Sequence, residues 1–286
     1  MILILGSRGR LGAALLRLWG AEGIARPDLD VSDTDALRTF LRSRRYHTLV
    51  NCTGLTSLEQ CEDEPALAEA VNVQAPGLMA LESRRVGARM IHFSTDYVFD
   101  GTLDRPYTEG DEARPLSVYG HTKRHGEEAV LDASEHHLVV RVSWLFGPDK
   151  PSFVDMILRR ALGGGPVEAV SDKTSCPTFS EDVAGWLEPF FESELPGGLY
   201  HACNFGACSW QEYGQVALDI ARQLAWPLLQ HSVRPVSLAS IAGFRAVRPR
   251  QTAMDCTKLQ GITGITCRPW QEALGSYLAC LTPPRA

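Results

Sequence analysis

The sequence predicts an α/β fold, a doubly wound parallel sheet with a smaller C-terminal lobe. Three observations carry that prediction. A short apolar run at residues 2–5 breaks into a glycine turn and then a helical pattern. Further short apolar runs alternate with helical patterns as far as residue 147, and the alternation loosens after Gly147-Pro148. Strands separated by helix-length segments pair in parallel, because the crossover lays a helix on one face of the sheet or the other. Residues 1–147 are expected to form the main sheet domain. Residues 148–286 are expected to form mainly a second lobe, interleaved with the first because no clean linker separates them.

The elements follow in order. Ile2-Leu-Ile-Leu5 has the uninterrupted apolar character of a strand covered on both faces. Gly6-Ser-Arg-Gly9-Arg-Leu-Gly12 follows, and the helical pattern runs from Ala13 to Trp19. Gly6 permits a tight turn, Gly9 lets backbone approach a pyrophosphate, and Gly12 lets the helix pack closely on the sheet, with the helix N-terminus facing the anion. This strand, turn and helix read as a dinucleotide-binding (Rossmann) unit, although GxxGxxG is wider in its first step than GxGxxG. A second strand is expected just before Arg26, and Ser32-Asp-Thr-Asp35 then caps a helix through Leu41.

A third strand at residues 48–52 ends in Asn51-Cys-Thr-Gly54-Leu-Thr56, where Gly54 suits either a close backbone approach to a cofactor or a plain turn. Residues 66–81 read as a long helix and residues 90–93 as the next strand. At the carboxyl end of that strand, where doubly wound folds bind ligands, stand Ser94, Thr95 and Asp96. Hydroxyls there can polarise a carbonyl, and the same residues serve ordinary turn chemistry equally well. A helix at 119–131 and a strand at 138–142 complete the first half. The second half shows a Gly163-Gly-Gly165-Pro turn, a helix opening at Ser180, a Gly197-Gly198 turn, and a capping box at Ser209-Trp-Gln-Glu212.

Tyr119 and Lys123 lie four residues apart on a predicted helix and so share one face. A phenol is a poor acid-base group at neutral pH, but an adjacent ammonium stabilises the phenolate and lowers its pKa toward the working range. Composition narrows the rest. A formal charge of -6 argues against a general affinity for nucleic acid or an anionic membrane, both of which need a concentrated basic surface. No apolar run reaches transmembrane length, and the N-terminus passes into the first strand without a signal peptide, so a cytoplasmic protein is expected. Eight cysteines without a CxxC pair fit free thiols in a reducing compartment. No His, Cys, Asp or Glu cluster has metal-ligand spacing, so no metal is expected.

Four blocks occur in a telling order: Gly6/Gly9/Gly12, Ser94-Thr-Asp-Tyr-Val-Phe99, Tyr119-x-x-x-Lys123 and Arg141-Val-Ser-Trp144. Together they make the chain resemble the extended short-chain dehydrogenases/reductases, and among them the dTDP-4-dehydrorhamnose reductases. The resemblance continues through Val170-Ser-Asp172, Pro177-Thr178, Gly198-Leu-Tyr-His201, Arg248-Pro249 and Asp255-Cys-Thr-Lys258. It implies NAD(P)H-dependent reduction of a 4-keto group on a deoxysugar nucleotide. Tyr119 would be the proton donor, Lys123 the residue holding the nicotinamide ribose, and Thr95 the carbonyl partner. By the same resemblance Gly9, Arg10 and Leu11 cradle the pyrophosphate, Asp30-Val31 lie beside the adenine, and Gly54, Leu55 and Thr56 line the cofactor. Asp96 and Trp144 match positions that contact the sugar; an indole after a strand equally often fills core space.

Arg26 suits a 2′-phosphate and so favours NADPH, with NADH left open. Arg8 and Arg10 add charge to the same loop or are solvated. Two departures concern the substrate side. Asp172-Lys-Thr-Ser-Cys-Pro-Thr178 replaces the amide and glycine of the family's Asp-Gln-x-Gly-x-Pro-Thr, and Arg250-Gln251-Thr252 stands where Asn-Ser is usual after Arg-Pro. Two other enzyme activities and one non-enzyme role stay open: a ketoreductase or an epimerase acting on another nucleotide sugar or natural-product ketone, and a dinucleotide-binding regulatory subunit resembling that of methionine adenosyltransferase. The partner expected is a small nucleotide-sugar substrate, with no nucleic acid and no membrane. Whether the chain acts alone or as a homodimer is open.

Overall fold

The computed structural model describes residues 1–192 and 195–281. Its centre is a six-stranded sheet. β1 (Ile2–Leu5) lies between β2 (Glu22–Ile24) and β3 (Thr48–Asn51), and the sheet continues through β4 (Arg89–Thr95), β5 (Leu138–Val142) and the edge strand Gly198–Ala202. Every pairing in it is parallel. The order, 2-1-3-4-5 with a sixth strand added, puts the reversal of winding between β1 and β3, and the crevice above that point is where such sheets bind ligands.

The apolar runs are continuous because both faces are covered. Leu3 and Leu5 enter a core with Val31, Leu37, Leu41 and Met79, while Ile4, between them, enters another with Leu11, Leu15, Val50 and Ile91. The helix Thr34–Arg42 begins where the capping pattern placed it: Asp33 accepts from the Asp35 and Ala36 amides at 3.1 and 2.9 Å. The helix expected at 66–81 is longer, running from Pro65 to Arg85 with one π turn, Ala70–Gln74, in its middle. β4 extends two residues past the expected 90–93, which carries Thr95 to the end of the strand itself.

The second half does not form a wholly separate body. Its strand Gly198–Ala202 pairs with β5 and completes the main sheet. Its helices Phe153–Leu162, Trp210–Gln223 and Trp270–Cys280 enclose a core of their own, with Phe146, Val154, Ile157, Tyr213, Leu218, Trp270 and Leu274 buried together, while Val183, Trp186 and Leu259 join the core of the main sheet. The Ser209 and Glu212 capping box opens the helix Trp210–Gln223, each side chain bonding the other's backbone amide at 3.1 and 2.7 Å. All eight cysteines are free thiols, six of them buried. No described helix is long and apolar enough to cross a membrane.

Candidate active site

The site begins at the glycine turn. Gly6 has φ +83°, and a β-carbon there would lie 2.8 Å from the Cys52 carbonyl, so the turn closes directly on the loop after β3. A β-carbon at Gly12 would lie 2.3 Å from the Gly6 oxygen. Gly12 therefore seats the helix on the turn itself, a closer contact than the expected packing on the sheet. The helix Arg10–Trp19 starts from Gly9 in extended conformation without a side-chain cap, which leaves its first amides to an anion.

A cleft of about 550 Å³ opens in front of this turn. Gly6, Gly9, Arg10, Leu11, Gly12, Arg26, Asp30, Val31, Gly54, Leu55, Thr56, Tyr119 and Lys123 all line it. The side chains differ in what they are free to do. Arg10 is a strut: its guanidinium donates to the carbonyls of Leu145, Lys150 and Pro151 at 3.0, 3.0 and 2.8 Å, tying the turn to the start of the second lobe. Arg26 is 78% exposed and 3.5 Å from Asp30, at the cleft rim. Asp30 accepts from the Ser32 hydroxyl and amide, bonds that hold its carboxyl below the ordinary range. At Gly54 a β-carbon would meet Asn72 at 3.4 Å and Thr56 at 3.7 Å, ordinary contacts, so nothing within the chain compels glycine there.

Asn72 is a residue that the sequence pattern concealed inside a helical run. It sits on the π turn, accepts from the Leu55 amide at 2.9 Å and donates to the Leu55 carbonyl at 3.1 Å, clamping the loop at both ends of one residue. A buried amide on a helix face was its only signal.

Tyr119 and Lys123 lie at the inner end of the cleft, on the helix Val118–Ala133, which Ser117 caps through the Gly120 amide at 3.2 Å. Thr95 is close enough to Tyr119 to act on its phenol, so donor and carbonyl partner are neighbours. Thr95 is held in turn: its hydroxyl accepts from the Tyr97 amide at 3.2 Å and lies 3.1 Å from Asp96 Oδ1. The expectation that Lys123 lowers the Tyr119 pKa is corrected by the structure. Burial pushes Tyr119 upward, and the groups acting on it are Thr95, Asp96 and Cys61, with Thr95 alone opposing the rise. The physical reason is where the lysine points. Lys123 Nζ donates to the Phe93 carbonyl at 2.7 Å and lies 3.2 Å from His92 Nε2, and burial pushes its own pKa down to about 8.

Below the lysine lies a buried ion pair. Arg141 grips Glu127 with two bonds of 2.8 and 2.6 Å, and its guanidinium stacks 5.0 Å over Phe99. The Arg-Val-Ser-Trp block thus supplies a scaffold from its first residue, and from Ser143 a hydroxyl that donates to Asp96 at 2.8 Å. Asp96 is 3% exposed, and Thr95 and Asp96 lie behind Tyr119 rather than on the cleft wall. Trp144 has φ +40°, a strained value for a bulky residue, and stacks among Phe153, Trp210 and Tyr213 at 4.8 to 5.7 Å between ring centres. It is only half-buried there, and its ring contacts fit the packing role.

The departures from the family pattern also have definite surroundings. Lys173 is 1% exposed, donates to the Pro249 carbonyl at 2.7 Å and lies 4.8 Å over the Tyr97 ring. Ser175 bonds the Thr252 hydroxyl at 3.0 Å, and Gln251 accepts from the Ala253 amide at 3.2 Å. These residues tie the 172–178 segment to the 249–253 segment.

Comparison with known proteins adds an independent line. The RmlD substrate binding domain family matches residues 1–282. The chain is 35% identical to a dTDP-4-dehydrorhamnose reductase of Streptomyces griseus, over 95% of this chain and 91% of the relative. It is 33% identical to a probable dTDP-4,6-dihydroxy-2-methyloxan-3-one 4-ketoreductase of Streptomyces antibioticus, over 99% and 97%. Among solved structures, the dTDP-4-dehydrorhamnose reductase of Bacillus anthracis in complex with NADP is similar, with a TM-score of 0.88 and 27% identity over 97% of each chain.

Proposed function

We propose that this chain, which belongs to the RmlD substrate binding domain family, is an NADPH-dependent reductase of a 4-keto group on a deoxysugar nucleotide, of the dTDP-4-dehydrorhamnose reductase type. The observation that carries the reading is that Tyr119 and Lys123 line the same cleft as the glycine turn, with Thr95 buried beside Tyr119. The turn fits a dinucleotide: Gly6 and Gly12 leave no room for β-carbons, and the uncapped helix start faces the cleft.

NADPH, when bound, supplies the hydride. Gly9, Arg10 and Leu11 hold the pyrophosphate through backbone amides, and Arg26 at the rim takes the 2′-phosphate. Asp30 and Val31 lie beside the adenine. Gly54, Leu55 and Thr56, clamped by Asn72, line the nicotinamide side with Lys123. As negative charge develops on the sugar's carbonyl oxygen, Thr95 and Tyr119 stabilise it and Tyr119 gives up its proton. A raised Tyr119 pKa serves this direction, because the donor stays protonated until the oxygen becomes basic. Asp96 fixes Thr95, and the exposed edge of Trp144 meets the sugar. Residues 1–147 hold the cofactor and residues 148–286 mainly hold the sugar nucleotide, in a cytoplasmic enzyme.

The test is NADPH oxidation by purified protein against a panel of nucleotide sugars. Oxidation only with 4-keto-6-deoxysugar nucleotides, and fastest with the dTDP form, is expected. Cofactor binding without turnover across the panel would instead indicate a regulatory subunit.

A further inference from the structure

His92 and Asn51 form a hydrogen-bond chain that ends on Lys123, and its donor and acceptor roles can be assigned. The Thr53 amide and hydroxyl both reach Asn51 Oδ1, at 2.9 and 2.6 Å. A backbone N–H can only donate, so Oδ1 is the acceptor and the amide orientation of Asn51 is settled. The other end of that amide, Nδ2, lies 3.0 Å from His92 Nδ1. It too can only donate, so Nδ1 carries the lone pair. In a neutral imidazole the proton is then on Nε2, and Nε2 lies 3.2 Å from Lys123 Nζ. Asn51 and His92 are completely buried, which leaves no room for solvent between them, and Lys123 is nearly so at the wall of the cleft.

An N–H pointing at an ammonium is a contact between two donors. The same N–H pointing at a neutral amine is a hydrogen bond, and the amine still donates to the Phe93 carbonyl at 2.7 Å. We propose that Asn51 and His92 are positioning residues that present an N–H to Lys123 and so tie its charge state to Thr53, on the loop that lines the cofactor cleft. To take up a proton, Lys123 must leave His92 or force the Asn51 amide to turn, and turning it breaks the bond from the Thr53 amide. Movement of the cofactor loop therefore changes what Lys123 meets.

The other groups facing Lys123 do not settle its charge in this way. Cys52 after β3 is a thiol whose pKa burial pushes up, so it stays neutral. Glu127, one turn further along the helix, favours the ammonium but already has both oxygens on Arg141, with Arg124 at 3.3 Å. Tyr119 is a neutral phenol at working pH. The low pKa of Lys123, about 8, and that of His92, well below its usual value, agree with the assignment.

The role in turnover rests on the reductase reading; the protonation pattern does not, and the test separates them. In the isotopically labelled full chain held above the Lys123 midpoint, long-range proton–nitrogen correlation of His92 is expected to show Nε2 protonated and Nδ1 as acceptor. The Cε resonance of Lys123 is expected to titrate with a midpoint of about 8. In His92→Gln the side-chain oxygen can turn toward Nζ, so that midpoint should rise by at least about one pH unit, and the alkaline limb of the kcat/KM profile should rise with it. Asn51→Asp should move the His92 proton to Nδ1. A wild-type His92 protonated at Nδ1 above that midpoint would overturn the proposal without any variant. So would a folded His92→Gln protein with an unmoved Lys123 midpoint. If these resonances behave as expected in a protein that reduces no sugar, the reductase reading fails and the chain stands.

Discussion

Two buried lysines lie on opposite sides of the end of β4. Lys123 stands in the cleft with Tyr119, and Lys173 is packed against Pro249 and Tyr97 from the second lobe. Burial pushes each down to about 8, yet their partners differ in kind. Lys123 meets a carbonyl and an imidazole that can change with the cofactor loop. Lys173 meets a carbonyl, an aromatic face and the charge of Asp96, all fixed by packing between the 172–178 and 249–253 segments. In the proposed reaction the same side chain with the same depressed pKa would thus serve chemistry on one side and shape on the other. Surroundings, rather than the pKa, tell the two roles apart.

The largest effect is expected on the Lys123 side. Tyr119→Phe should lower turnover by roughly 10² to 10⁴-fold, the usual loss for a removed general acid, while NADPH affinity measured by titration stays near wild type. Full activity in that variant would remove the proton donor from the account. On the other side, Lys173→Gln restores the family's amide. It should change the KM for the keto-sugar by about tenfold, the scale of one charge-assisted hydrogen bond, and leave NADPH affinity alone. A cofactor-affinity change as large as the sugar effect would merge the two lysines into one role.

The rim of the cleft should matter less. Arg26 is mostly exposed and already near Asp30. Arg26→Ala should therefore reduce the preference for NADPH over NADH by about fivefold or less, as measured by the ratio of their kcat/KM values. Lys173 also gives a pH dependence of stability. A lysine with a folded pKa of about 8 and an ordinary unfolded value near 10.5 binds fewer protons folded than unfolded between those limits. Stability therefore rises with pH across that window, by about 1 kcal/mol per pH unit for one such group. Denaturant melts of wild type and Lys173→Gln should show wild type gaining on the variant from pH 8 upward. Parallel curves would mean that Lys173 titrates normally.

The sequence read the Lys123 side far better than the Lys173 side, for physical reasons. A dinucleotide turn needs glycines at positions where β-carbons collide, and Gly6 and Gly12 are visible as letters. Tyr119 and Lys123 are local, one helical turn apart. The apolar runs of β1 and β5 end where the strands end. Long-range burial is not visible in this way. His92 sat within a run read simply as a strand, and Asn72 within a run read simply as a helix. Both are polar residues whose meaning depends on partners 41 and 17 positions away. Lys173 was recognisable as a departure, but only the fold shows that it faces Pro249. The direction of the Tyr119 pKa was misjudged because spacing places Lys123 on the same face without saying where its ammonium points.

The most direct test of the central claim follows the hydride. With NADPH deuterated at the transferable position and a dTDP-4-keto-6-deoxysugar as substrate, the product should carry deuterium at C4 of the sugar, read by NMR, and Tyr119→Phe should form almost none. Deuterium absent from C4 in a protein that binds the cofactor would contradict the account.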